Sequence, residues 1–452
     1  MTTTMLKYSL YFLIIVALFS CDDFLDKKPV DQIAAEVYFT DEASAESAVR
    51  AIYRSMESPY YYGQSLITVP EFAAGHVAHV SNLPEYVNFE QNDIRIDNPW
   101  VLNIWSAAYT IINASNNVIE QVPQITGVIS DAKRAQFVRE ARFIRALAYF
   151  NLVRSWGDVP LILTPTVAKS TTADYQLPRT SADEVYAQII ADLTDASNLP
   201  DAYGTLEQTK GRATGGAAKA LLAKVYLYHG QYAESAGLAK EVMAKGYVLT
   251  ETYSSIWLTE NSSESIFELQ FDAQATNPLA TVSNPTSSVL FLAKKEAYDK
   301  FEDGDLRKNF TVNVANNKYY IGKYRNYNPA TQNVPIIRLS EIYLIFAEAQ
   351  ARVNGSAAGE PYEYYKAIRD RAGIDTPEEG TFTDLGAFIT EVQREKRREL
   401  MFEGEAWYDY TRTGLALTEM MTNPDPKRYL FPIPQVEREL NVQLGQNPAY
   451  QQ

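Results

Sequence analysis

Cysteine is almost absent: Cys21 is the only one in 452 residues. A lone thiol closes no intramolecular disulfide, and no cysteine cluster is available to hold a metal. Histidine is nearly as scarce, with three. His76 and His79 stand at i, i+3 in GHVAH, without the His-Glu-x-x-His arrangement of a zinc protease. His229 precedes Gly230 at a helix end, where a cation suits the dipole. All three are expected to be structural. No Gly-x-Ser-x-Gly elbow occurs, so serine hydrolysis has no local support. GRATGGA (211–217) approaches a phosphate-binding loop but places Ala217 where lysine is required, and Thr214 reads as a helix cap. EDGDLR (302–307) lacks the repeated aspartate spacing of a calcium loop and reads as a turn. Two-carboxylate glycoside hydrolysis leaves no motif, and 56 acidic residues make chance pairs plentiful. The expectation is therefore no catalytic residue, no metal and no cofactor. Positive charge is also short: 41 Lys and Arg against 56 Asp and Glu give a net charge of −15. Such a surface repels nucleic acid and anionic headgroups. Long apolar runs are limited to one, from Leu10 to Phe19, at roughly 10 residues where a bilayer needs about 20.

That run follows a short segment whose one charge is Lys7, and it fits the apolar core of a secretory signal. Leu18-Phe19-Ser20-Cys21 resembles the lipobox of bacterial lipoproteins. The resemblance implies cleavage before Cys21 and acylation of its thiol and new amino end. Two or more acyl chains anchor a protein stably where a single chain does not. The chain then divides into a signal peptide (1–20), a lipid-anchored tether (21–40) in which Pro29 opposes an early helix, and one domain (41–452).

Helical spacing dominates that domain. Helices are expected from Asp41 to before Pro59, over 100–122 (Ile104, Ala107, Ala108, Ile111), over 131–155 (Phe143, Ala146, Leu147, Phe150, Val153) and over 181–197. Residues 214–245 read as a helical hairpin stopped by Gly230 and Gly246, with Ala220, Ala223, Ala233, Ala236 and Ala239 allowing close approach. This resembles a tetratricopeptide unit, and residues 336–374 look like a weaker copy. REKRRE (394–399) is read as intrahelical pairs on a solvated or partly buried face. Two stretches, about 59–99 and 246–335, lack sustained periodicity and read as loop-rich insertions, with IFELQF (266–271) strand-like. Insertions of that length often carry function.

Aromatics are abundant, at 31 Tyr, 19 Phe and 5 Trp, and they concentrate in those insertions. SPYYYG (58–63) sets Tyr60, Tyr61 and Tyr62 in a row, and alternation requires that at least one face outward. Tyr86, Asn88, Phe89 and Trp100 follow. KYYIGKYRNYN (318–328) adds Tyr319, Tyr320, Tyr324 and Tyr327. Flat rings beside amide and charged groups suit a mixed apolar and polar ligand site such as one for sugars, or they pack against the helical core.

Six stretches in chain order resemble the SusD/RagB family of outer-membrane nutrient-binding lipoproteins: CDDFLDKKP, REARFIRALAYFNLVRSWGDVPLI, GRATGGAAKALLAKVYLYHGQYAES, RLSEIYLIFAEAQARVNG, REKRRELMFEGEAWYDYTRTG and LFPIPQVERELNVQLGQNPAY. The resemblance implies a mostly α fold with tetratricopeptide-like helix pairs and an irregular face with short strands. It implies a glycan ligand, a SusC-like TonB-dependent transporter as partner, and an outer-membrane location facing outward. Tyr60, Tyr61, Tyr62, Tyr86, Asn88, Trp100, Tyr324 and Tyr327 are the candidate ligand residues, and Cys21 is the lipidation site. A peptide-binding RagB-like receptor and a tetratricopeptide-type adaptor are the alternatives.

Overall fold

The computed structural model describes residues 38–166, 176–286, 289–382, 384–420 and 425–451. Cys21, the signal and most of the tether lie outside the described residues. The first helix, α1, spans Glu42–Met56, with Asp41 closing a capping box on Ser44. The segment from 59 to 99, expected to be irregular, carries α2 (Ser65–Ala73), β1 (Val77–His79) and α3 (Pro84–Glu90). Its helices escape a periodicity reading for physical reasons. Every residue of α2 is buried, so it has no polar face to make a stripe, and Pro70 sits inside it. α3 has seven residues, under two turns of a helix.

Two long helices form the base: α4 (Pro99–Gln121), capped by Asn98 with Pro99 at its first position, and α5 (Asp131–Trp156), capped by Ser130. α6 (Ala182–Ala196) packs on α5, and the arginines on the separate face of α5 make the clasp. Arg145 meets Asp192 through two bonds of 2.8 Å, while Arg139 and Arg142 reach Asp195 at 3.2 and 2.6 Å. The expected hairpin is α7 (Gly215–Tyr228) and α8 (Tyr232–Met243), with Thr214 accepting the Ala217 N–H as cap. Ala220, Ala223, Ala236 and Ala239 are buried between packed helices, while Ala233 is exposed. α9 (Leu339–Asn354) and α10 (Glu360–Ala372) form the next pair, and the left-handed Gly355 ends α9. α11 (Leu385–Glu399) and α12 (Ala406–Thr413) complete the helical side.

The strands make three two-stranded antiparallel sheets among the described residues. β2 (Ser265–Leu269) pairs with β6 (Val334–Arg338), and β4 (Val312–Ala315) with β5 (Lys318–Ile321). β1 pairs with β3 (Phe291–Ala293), Val77 opposite Ala293. The two aperiodic insertions, far apart in sequence, therefore meet at this ladder. The larger core of buried side chains draws on residues from Ala45 to Leu444, and a second cluster lies among α9, α10 and α11.

The REKRRE run departs from its expected role. Arg394–Glu391 (2.5 Å) and Arg398–Glu395 (3.1 Å) are intrahelical. Glu395, Lys396, Arg397 and Glu399 are buried and paired with other elements. Glu395 and Glu399 hold Arg307 at 2.6 and 2.9 Å, and Glu399 also takes Arg338 at 2.5 Å and Arg371. Lys396 and Arg397 reach Asp409 at 3.2 and 3.1 Å. The turn at 302–307 is present and supplies Arg307 and Asp305, both buried in this network.

Candidate functional site

The eight candidate residues fall in separate places. Tyr61 and Tyr62 are buried edge to face, ring centroids 5.1 Å apart, and both hydroxyls accept from Asn151 Nδ2, at 2.9 and 3.1 Å. Burial pushes the Tyr62 phenol up to about 12. Asn151 Oδ1 accepts from Arg154, which also binds Glu405, so this pair belongs to the core. Tyr324 is buried as well, its hydroxyl donating to the Phe402 carbonyl at 2.8 Å and its ring edge-on to Trp257. Tyr86 is buried in a stack with His79, centroids 4.8 Å apart and planes 9° from parallel. The expectation that these four rings face a ligand is corrected by their burial: each is enclosed by protein and offers no free face for stacking. Tyr60, by contrast, is 50% exposed, in a segment that is a turn and not a strand. Asn88, Trp100 and Tyr327 are half-buried.

Among these, the structure joins Tyr86 to Trp100. Their centroids are 5.2 Å apart at 32°, and His79 lies on Tyr86, with Phe72 and Phe291 around them. Trp100 is thus the accessible end of a rigid aromatic pile. Val80 and Leu290 are exposed at the end of the β1–β3 ladder, where the Val80 N–H donates to the Leu290 carbonyl at 2.9 Å, and Leu83 is exposed at the start of α3. The three histidines do not gather. His76 is buried on Glu71 at 2.7 Å, and His229 stacks on Tyr186. Among the described residues no group of three or more His, Cys, Asp or Glu is placed to hold a metal.

A second feature went unmarked by the sequence reading. A cleft of about 570 Å³ opens between α4, the segment 160–166 and the segment 437–444. Trp105 and Tyr109 form its aromatic wall, 5.0 Å apart, with Ile112, Leu177, Leu440 and Leu444 around them. Asn113 Oδ1 accepts the Thr166 N–H at 2.8 Å, and Asn441 Nδ2 donates to the Leu177 carbonyl at 2.7 Å. Tyr109 donates its hydroxyl to the Pro160 carbonyl at 2.8 Å. Burial raises the Glu437 carboxyl above its ordinary value. The signal was present as Trp105, Tyr109 and Ile112 at i, i+4, i+7, one position round from the stripe that marks α4 as a helix. A second apolar stripe means a second occupied face.

Residues 23–227 match a protein family described as starch-binding and associating with the outer membrane, and residues 293–427 match the SusD family. The chain is similar to SusD-like protein P2 of Formosa agariphila, at 27% identity over 99% of this chain and 100% of that one. It is similar to a SusD-like protein of Bacteroides ovatus, at 26% over 89% and 81%. A solved laminarin-binding SusD-like protein superposes with TM-score 0.78 at 27% identity, covering 91% of this chain and 100% of that one. The surface glycan-binding protein A of Bacteroides uniformis shares the fold, with TM-score 0.78, 22% identity and coverage of 91% and 100%.

Proposed function

The chain belongs to the SusD/RagB family, and from that premise we propose that it is a cell-surface glycan-binding lipoprotein. It captures an oligosaccharide without chemical turnover and passes it to a SusC-like transporter of the outer membrane. The observation that carries the glycan reading is the Trp100 end of the Tyr86–His79 stack on the irregular face. A half-buried ring with a pre-packed partner beneath it gives stacking area for a sugar with little loss of side-chain entropy. The laminarin-binding relative supports the class of ligand. Asn88, Tyr60 and Tyr327 remain candidates for the rim, and Tyr61, Tyr62, Tyr86 and Tyr324 act beneath the surface.

Calorimetry on the lipid-free protein with laminarin, starch and other glycans tests this. At least one glycan is expected to bind, and Trp100→Ala is expected to weaken it at least tenfold, about 1.4 kcal/mol. Tyr61→Phe is expected to leave affinity unchanged. If every glycan fails while peptides bind, the ligand is of the peptide class. New reducing ends on prolonged incubation would overturn the non-enzymatic reading.

A further inference from the structure

A pocket of about 450 Å³ lies where α7 ends and α8 begins, against the last turns of α9 and α12 and one face of α11. Gly386, Ile389, Thr390 and Gln393 make that face of α11, at i, i+3, i+4 and i+7. The volume is that of a small-molecule site, which spans about 300–1,000 Å³. The pocket shares no residue with the Trp100 stack.

Its wall is cationic in an acidic protein. Arg412, nine-tenths buried, bonds Glu348 at 2.9 and 2.8 Å and Asp409 at 2.8 Å. Arg352 shares Glu348, with Nη2 at 3.0 Å, and its guanidinium lies over the Tyr232 ring, 4.8 Å from the centroid. Asp409 also takes Lys396 and Arg397, and Glu419 stands 4.0 Å from Arg397. Among the described residues four cations thus share three carboxylates, while the adjoining Glu405 and Glu341 are matched by Arg154 and Lys224. The backbone does little to change that balance. α7, α9 and α12 end at the pocket, α8 and α11 begin there, and dipole ends of opposite sign largely offset each other. Two residues of the wall also hold a buried donor with no partner among the described residues, Arg412 at Nε and Tyr228 at its hydroxyl. Buried donors are ordinarily paired, so this wall favours a ligand that brings acceptors and negative charge.

Across the pocket the polar groups are of the opposite kind. Gln393 Nε2 donates to Glu348 at 2.9 Å, which leaves its carbonyl end to accept. Thr390 and Thr413 donate their hydroxyls to the Gly386 and Asp409 carbonyls, each at 2.8 Å, and keep their oxygen lone pairs. Ile389 and Leu415 supply apolar cover between them. We infer that the pocket binds a small hydroxylated carboxylate, of the class of a single uronic acid. The carboxylate meets Arg352 and Arg412, the hydroxyls donate to Gln393 and the two threonines, and the C–H surface of the ring lies on Ile389 and Leu415.

Calorimetry on the lipid-free protein with glucuronate, glucose and sulfate tests this. Glucuronate is expected to bind at least about tenfold more tightly than either glucose, which lacks the charge, or sulfate, which lacks the hydroxyls. Arg352→Gln, at a half-buried site, is expected to weaken glucuronate by at least about tenfold, and Arg352→Lys to recover part of the loss. Thr390→Phe, which fills the pocket from α11, is expected to abolish binding. Trp100→Ala is expected to change none of these, so this site and the glycan platform stand or fall separately. Absence of glucuronate binding, equal affinity for glucose or for sulfate, or an affinity that survives Arg352→Gln or Thr390→Phe would each overturn the inference.

Discussion

Glu405 shows how a single side chain reports on the fold. It is a carboxylate bound by Arg154 at 2.9 Å and Lys224 at 2.8 Å. Burial acts to raise its carboxyl, but the adjacent Arg154 and Lys224 prevail and hold it at about 2 against an ordinary 4.5. A carboxyl depressed on folding stabilises above its unfolded value and loses that contribution as pH falls through the folded one. Glu405→Gln should therefore destabilise by about 3 kcal/mol at pH 7, with the gap to the parent closing between pH 4.5 and 2 in denaturant titrations. Glu57 runs the other way, raised by burial to about 7. Its protonated form is favoured in the fold, so its contribution is full below 4.5 and lost as pH rises through 7. Glu57→Gln should accordingly gain stability relative to the parent from pH 5 to 8. Neither behaviour was legible in the residues themselves. Glu405 sits in GEAWYDY with no basic neighbour, and its partners come from residues 154 and 224.

At the scale of elements, α11 is where local and tertiary logic part. Its REKRRE sequence satisfies a helical pairing rule, and two such pairs do form, Arg394–Glu391 at its exposed edge and Arg398–Glu395 with the carboxylate buried. The buried members answer instead to Arg307, Arg338, Arg371 and Asp409, contributed by a turn, a strand and two helices. Replacing Arg307 by methionine leaves Asp305, Glu395 and Glu399 short of a buried counter-charge and should cost about 3–5 kcal/mol. Arg394→Met, at a solvated site, should stay within about 0.5 kcal/mol. Urea midpoints of the two variants make the comparison, and equal effects would refute the distinction. The same contrast explains the missed helix α2. A helix polar on one face announces itself by period, whereas SLITVPEFA is covered on all sides and has no period to show. The amphipathic helices, the start at Asp41, the cap at Thr214 and the glycine stops were readable because they depend on residues within four positions of each other.

For the whole molecule, the balance of charge and the single cysteine frame how it is used. An acidic body has no electrostatic hold on a membrane surface, so attachment falls to the lipid proposed at Cys21. Native protein from membranes should carry an acylated amino-terminal cysteine by mass spectrometry, and Cys21→Ser should leave the chain in the soluble fraction. An unmodified amino end on the native protein would refute the anchor. No helix among the described residues is long and apolar enough to cross a membrane. The irregular face and the first helix pairs share the larger buried core, and α9, α10 and α11 enclose a second cluster around Leu344, Tyr365 and Phe388.

The amino-acid order alone determined the mostly helical class, the dispersed helix pairs, the family and the expectation of a lipid anchor, because these rest on local periodicity, capping and short motifs. Which aromatic rings reach solvent, where the charges of α11 find partners, and that α4 walls a cleft with the chain's last segment were decided only by tertiary packing. Exposure and ion pairing depend on neighbours hundreds of positions away, and a run of three tyrosines reads the same whether one of them or all three face outward.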